Sequence, residues 1–160
     1  MGRPKVFEKI TGTVVAEVAK IITIYSGWIV LPDSLEAYLK KEDLFDCIRK
    51  MPAQFDSFKV LDAALDNYVS IARKARDDWF LDSLTNREAR SLTLDLSFLS
   101  NDEKYEAILY EDAENSNFLT NKESYTIRRQ PVNAKTKLAV RMAEVGGNVV
   151  YIKRISNKRE

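Results

Sequence analysis

From residue 54 onward the chain reads as a succession of short runs in which apolar and polar side chains alternate. They are Phe55 to Leu61, Tyr68 to Arg73, Trp79 to Leu84, Leu92 to Phe98, Tyr105 to Tyr110, Tyr125 to Arg129, Lys137 to Met142 and Val149 to Ile155. A period of two sends successive side chains to opposite faces of a strand. Turn-forming sequences separate the runs, "DN", "ARDD", "TNRE", "SNDE", "ENSN", "VNAK" and "VGGN", and none of these connections holds a helix. Strands so joined form antiparallel sheets packed as a sandwich, each strand giving one face to the core. The cleanest run, "RSLTLDLSFL", sets Leu92, Leu94, Leu96 and Phe98 against Thr93, Asp95 and Ser97. Burying those four apolar side chains contributes about 6 to 12 kcal/mol before chain entropy, which makes this run the expected central strand. "VGGN" predicts a hairpin between the last two strands, and "EDAENSNFLTNKES" a long mobile loop.

The first third of the chain has a different period. In "TVVAEVAKIITIY", Thr13 to Tyr25, the β-branched composition favours a strand, yet Val14, Val18, Ile21, Ile22 and Tyr25 recur at helical spacing. Helix is the prediction. Val15, Ala16, Ala19 and Ile24 flank that stripe, so something large should cover the helix on more than one side. Asp33 and Glu36 form an Asp variant of the capping box and start a helix running to about Lys40. A further helical stretch carries Leu44, Phe45, Cys47 and Ile48 until Pro52 stops it.

Composition removes several kinds of chemistry. There are no histidines among the 160 residues, which excludes Ser-His-Asp and Cys-His catalysis and histidine zinc sites within the chain. The single Cys47 cannot form an internal disulfide. A net charge of +1 supplies no field for nucleic acid or an anionic membrane, and no apolar run is long enough to span a bilayer. In "IARKARDDWF" aspartates interrupt Arg73, Lys74 and Arg76, unlike a nucleic-acid footprint. The amino end, "MGRPKVFEKI", lacks the apolar run of a secretory signal.

Adjacent carboxylates occur at Glu42 and Asp43, Asp77 and Asp78, and Glu111 and Asp112. All fall at turns or strand ends, where neighbours point apart and cannot clamp one substrate atom. No calcium loop of alternating aspartates is present. Trp79, Phe80, Tyr68, Tyr105, Tyr110, Tyr125 and Tyr151 could stack sugars in a carbohydrate-binding module, or pack the strands together, the use aromatics find on sheets for packing alone.

Several segments together resemble the carboxy-terminal part of the glycoside hydrolase family 97 enzymes, the SusB-like α-glucosidases. "VLDAALDNYVSIARKARDDWFLDSLTNREARSLTLDLSFL", Val60 to Leu99, is similar to the family's own stretch ending in Leu-Asp-Leu-Ser-Phe-Leu, and "YSGWIVLPDSLEAY", Tyr25 to Tyr38, resembles the segment before it. Tyr105 to Asp112, "SYTI" at Ser124 to Ile127, and the closing "GGNVVYIKRI" fit the last strands of that family. Gly27, Asp82 and Glu17 depart from it, standing where proline, glycine and glutamine are usual.

The resemblance implies a helical segment over 1–53 equivalent to the end of a (β/α)8 barrel, then a C-terminal antiparallel β-sandwich of about eight strands over 54–160. It also implies that the calcium ligands and catalytic carboxylates of such enzymes lie upstream of the matched region. No catalytic, cofactor-binding or metal-ligating residue is therefore assigned here, and no cofactor is expected in this chain. The expected partner is the remainder of the barrel. Left without barrel neighbours, Val14, Val18, Ile21, Ile22, Tyr25 and Trp28 would form an adhesive surface capable of self-association. Alone, the chain is expected to be an inactive stabilising domain; hydrolysis of α-glucosides and sugar binding as a separate module are the competing readings. The intact enzymes are exported to the periplasm, but no leader is read here.

Overall fold

The computed structural model describes residues 10–30 and 35–155. Three helices come first, α1 (Val14–Thr23), α2 (Leu35–Leu39) and α3 (Glu42–Lys50). Eight strands follow: β1 (Ser57–Ala64), β2 (Tyr68–Ala75), β3 (Asp78–Thr85), β4 (Arg90–Asp95), β5 (Lys104–Asp112), β6 (Tyr125–Val132), β7 (Lys137–Met142) and β8 (Gly147–Ile155). Every alternating run in the sequence became a strand. The expected antiparallel β-sandwich preceded by helices is the fold observed. Asp33, the expected cap of α2, lies outside the described residues.

The strands form a six-stranded antiparallel sheet, β1-β2-β3-β8-β5-β6, and a two-stranded ribbon, β4-β7. Between sheet and ribbon lies the first core, built on Leu81, Leu94, Leu96, Leu109, Leu138, Val140, Val150 and Ile152. The other face of the large sheet is covered by α1 and α3, whose Val18, Ala19, Ile22, Leu44 and Cys47 meet Phe80, Ile108, Tyr110, Val149 and Tyr151. Hence the expectation of one core face per strand fails for β3, β5 and β8. They are buried on both faces, because helices occupy the side that an isolated sandwich would leave to water.

Three further expectations need correction. The run from Leu92 to Phe98 is not a central strand: β4 pairs with β7 alone and ends at Asp95. There the Asp95 carboxylate accepts a hydrogen bond from the Ser97 amide at 2.9 Å and turns the chain, although Leu94, Leu96 and Leu99 remain in the core. "VGGN" does not close a hairpin, since β7 and β8 belong to different sheets. The turn from Ala143 to Gly146, closed by a 3.0 Å amide-to-carbonyl bond, carries the chain from one layer to the other, with Val145 at φ 50. Finally, the 113–124 segment is tied down. Asn117 accepts from the amides of Leu119 and Thr120, Asn121 and Ser124 hold Asn115, and the Lys122 carbonyl receives the Val14 amide at 2.9 Å.

Candidate functional site

The helix-to-sheet junction brings together the unusual side chains of this chain. At its start, the Thr13 hydroxyl oxygen accepts from the Ala16 amide at 3.1 Å, satisfying one of the free donors of a helix N-terminus. The Thr13 amide in turn donates to the Val145 carbonyl. Beneath it, one oxygen of buried Asp112 accepts from the amides of Ala143 and Gly147, both at 3.0 Å, so a carboxylate at the end of β5 fixes the crossover turn. Burial raises the Asp112 carboxyl above the usual range; the Thr13 hydroxyl and those two amides hold it back. Glycine is required here by proximity: a Cβ on Gly147 would stand 2.9 Å from the Ser83 carbonyl oxygen and 3.0 Å from Ala16 Cα.

At the other end of α1, Arg73 of β2 donates from Nε to the Ile22 carbonyl at 2.7 Å and from Nη2 to the Thr23 carbonyl at 3.3 Å. A cation at those unpaired carbonyls complements the helix dipole. The rings of Tyr25, Phe55 and Phe58 lie 5.2, 5.8 and 5.5 Å from the guanidinium carbon, so the charge is boxed by aromatic faces. Beside it, fully buried Asp82 accepts a hydrogen bond from the Thr23 hydroxyl, while its Oδ1 has no partner. Burial pushes its carboxyl up to about 7, opposed by the Thr23 hydrogen bond and the Arg73 charge. Buried Cys47 of α3 is driven the same way, up to about 12, leaving the thiol an inert packing group.

The paired carboxylates turn away from one another. Asp78 accepts from the Tyr151 hydroxyl at 2.6 Å and the Arg154 amide at 2.9 Å, whereas Asp77 pairs with the Arg154 guanidinium at 3.1 Å. Asp43 accepts from the Tyr125 hydroxyl at 2.6 Å, and Glu42 pairs with Arg49. Glu111 holds Arg128 at 2.7 Å and the Arg141 amide at 2.9 Å, one residue and one sheet face away from Asp112. Asp77, Asp78, Glu111 and Asp112 hold strands and turns together, whereas Glu42 and Asp43, expected at a turn or strand end, lie in the first turn of α3, where Glu42 braces the helix and Asp43 ties it to β6. They do not fit a calcium ion, and among the described residues no three acidic or cysteine side chains converge on one point.

The adhesive surface expected on α1 is displaced. Val18 and Ile22 are buried against the large sheet, Val14 packs beside them, and Tyr25 rests edge-on against Phe55 at 5.1 Å. What remains exposed is the segment after the helix: Ile24 and Trp28 are 72% and 81% accessible, joined by Ile29, Val30, Leu35 and Leu39. The helical period was read correctly, but the sandwich itself supplies the cover that seemed to be missing. In the sequence Arg73 stands in a basic run broken by aspartates. Its signal is phase, since it follows Val69 and Ile71 on the helix-facing side of β2 and stands opposite Phe80.

The six-stranded sheet, its two-stranded ribbon and the covering helices define the class of domain, a helix-clad antiparallel β-sandwich. The family model described as "Glycosyl-hydrolase 97 C-terminal, oligomerisation" matches residues 54–153. The chain belongs to glycoside hydrolase family 97, through the C-terminal domain of that family. It is 29% identical over 142 residues to a retaining alpha-galactosidase of Bacteroides thetaiotaomicron, a match covering 89% of this chain and 21% of the relative. Among solved structures, a family 97 enzyme of Pseudoalteromonas sp. strain K8 in complex with panose superposes with a TM-score of 0.88 at 29% identity, over 91% of this chain and 23% of that one. The acarbose complex of a family 97 enzyme from the same source gives 0.81 at 27% identity, with the same coverage. The chain thus spans less than a quarter of the length of these relatives.

Proposed function

We propose that this chain is a structural module that supports the catalytic barrel of a family 97 α-glycoside hydrolase and performs no hydrolysis itself. The observation that carries this reading is the exposure of the large apolar side chains Ile24, Trp28, Ile29, Val30, Leu35 and Leu39. They lie in the helical part of the chain, before residue 54, where the family resemblance expects the end of the barrel. Covering them removes apolar surface from water and favours association with the remainder of the barrel. The catalytic carboxylates and the calcium ligands belong, in this reading, to that remainder, and the bond cleaved in the intact enzyme is an α-glycosidic one.

The sugar-binding alternative finds less support. Of the seven aromatics, Trp79, Phe80, Tyr105, Tyr110 and Tyr151 are buried, and the half-buried Tyr68 and Tyr125 stand on β2 and β6, far apart in the sheet, so the seven make no continuous row on which sugar rings could stack. Mixing the chain with a family 97 barrel fragment that lacks this region tests the proposal. Recovery of α-glucoside or α-galactoside hydrolysis is expected with the chain as it stands and not with Trp28→Ser combined with Val30→Ser. Hydrolysis by the chain alone, or unchanged rescue by that double variant, would overturn it. Titration with maltooligosaccharides is expected to give no response.

A further inference from the structure

The two edges of the six-stranded sheet are unlike. At β6, Pro131 has no N–H to offer, and the Arg128 guanidinium reaches over the edge to the Ala139 carbonyl at 2.6 Å, drawing β6 toward the ribbon. At β1 the sheet simply stops: β2 is its sole strand partner, and its residues are exposed along nearly the whole strand. Phe58 and Val60 show 63% and 58% of their surface on the face that also carries the helices. An unpaired edge bearing apolar side chains is a template for a further strand.

Two features of β1 that ordinarily discourage pairing acquire a different meaning in register. A bulge falls between Val60 and Asp62, so that Lys59 stands beside Ala72 of β2 and Asp62 beside Ser70, on one face, with Val60 between them on the other. Among the described residues Lys59 has no ion-pair partner, and Asp62 accepts only the Tyr68 hydroxyl at 3.1 Å. Place two copies of β1 antiparallel about a two-fold axis at Val60. Each Lys59 then faces the other copy's Asp62, each Phe58 faces the other copy's Ala63, and the two Val60 side chains meet at the axis. The strand is complementary to itself in charge and in shape.

We infer that β1 is the self-association edge of this domain, joining two copies into one continuous antiparallel sheet through Lys59, Val60 and Asp62. The inference rests on reading the chain as an accessory domain, and it gives the oligomerisation named for the family's C-terminal domain a definite location. The occupant is a second copy because the charges pair only under a two-fold.

Sedimentation equilibrium on the full 160-residue chain provides the test. A dimer is expected whose dissociation constant rises about tenfold or more in Val60→Lys, where like charges meet at the axis. Lys59→Glu and Asp62→Lys should each weaken it, and the two together restore it, with far-UV circular dichroism confirming that every variant is folded. Amide exchange along Ser57–Ala64 should slow as concentration rises. A monomer at all concentrations overturns the inference while leaving rescue of the barrel fragment untouched. Dimerisation lost in Trp28→Ser but kept in Val60→Lys also overturns it, assigning association to the segment after α1. Loss of rescue in Val60→Lys with unchanged dimerisation would assign the edge to the barrel instead.

Discussion

At the scale of single residues, the junction depends on one basic and one acidic side chain serving opposite purposes. Arg73 satisfies two carbonyls of α1 and packs among three rings. Replacing it by Met keeps much of the volume but leaves those carbonyls unpaired, and is expected to cost about 2 to 3 kcal/mol in urea unfolding. Asp82 works against the fold at neutral pH. Its folded carboxyl titrates near 7 rather than near its ordinary 3.8, so the folded state holds a proton that the unfolded state has released. Whatever stability this group supports is complete below about pH 4 and drains away as pH rises through 7. Asp82→Asn should therefore exceed the original chain by about 2 to 4 kcal/mol at pH 8, and the gap should narrow toward pH 4. A difference in melting temperature that does not change with pH would contradict this.

At the scale of elements, the fit between α1 and the start of β8 leaves no spare volume. Gly147→Ala sets a methyl against a backbone oxygen and against the helix axis itself, neither of which can swing aside. A loss of about 1 to 3 kcal/mol is expected, with faster amide exchange concentrated in α1. Leu44, wholly buried where α3 meets the sheet, should cost about 2 to 5 kcal/mol when changed to Ala.

Strand positions were legible in the sequence because alternation is a local property, and even the two-sided strands kept enough of it to be placed. Layer membership was not. The clean alternation of "SLTLDLSF" says only that one face stays wet, which holds for β4 in the ribbon and not for β3, β5 and β8, buried on both faces, and it does not name the strand that β4 pairs with. The site was legible only in part: Asp82 stood out as a charge within a strand, whereas the role of Arg73 depends on a partner fifty residues away. The missing cover of α1 was misjudged because helical periodicity identifies a face to be buried without naming what buries it.

At the scale of the whole molecule, the two halves of the sequence share one of the two cores. The family match begins at residue 54, yet Phe80, Ile108, Tyr110, Val149 and Tyr151 are buried partly by side chains from before that point. A chain trimmed to 54–160 would turn this row of large side chains toward water. It is expected to bind a hydrophobic dye, aggregate near micromolar concentration and melt well below the full chain. Equal solubility and an unchanged melting temperature would show that the sandwich needs no helices.

The guanidinium that grips the tail of α1 also lies over Phe58, on the outermost strand. The polypeptide leaving the helix is thus tied to the rim of the sheet through Arg73, and to the interior through Tyr25, Phe55 and buried Phe80. Whatever seizes Trp28 and its neighbours therefore pulls on a point that is anchored both at the margin of the sheet and in its interior.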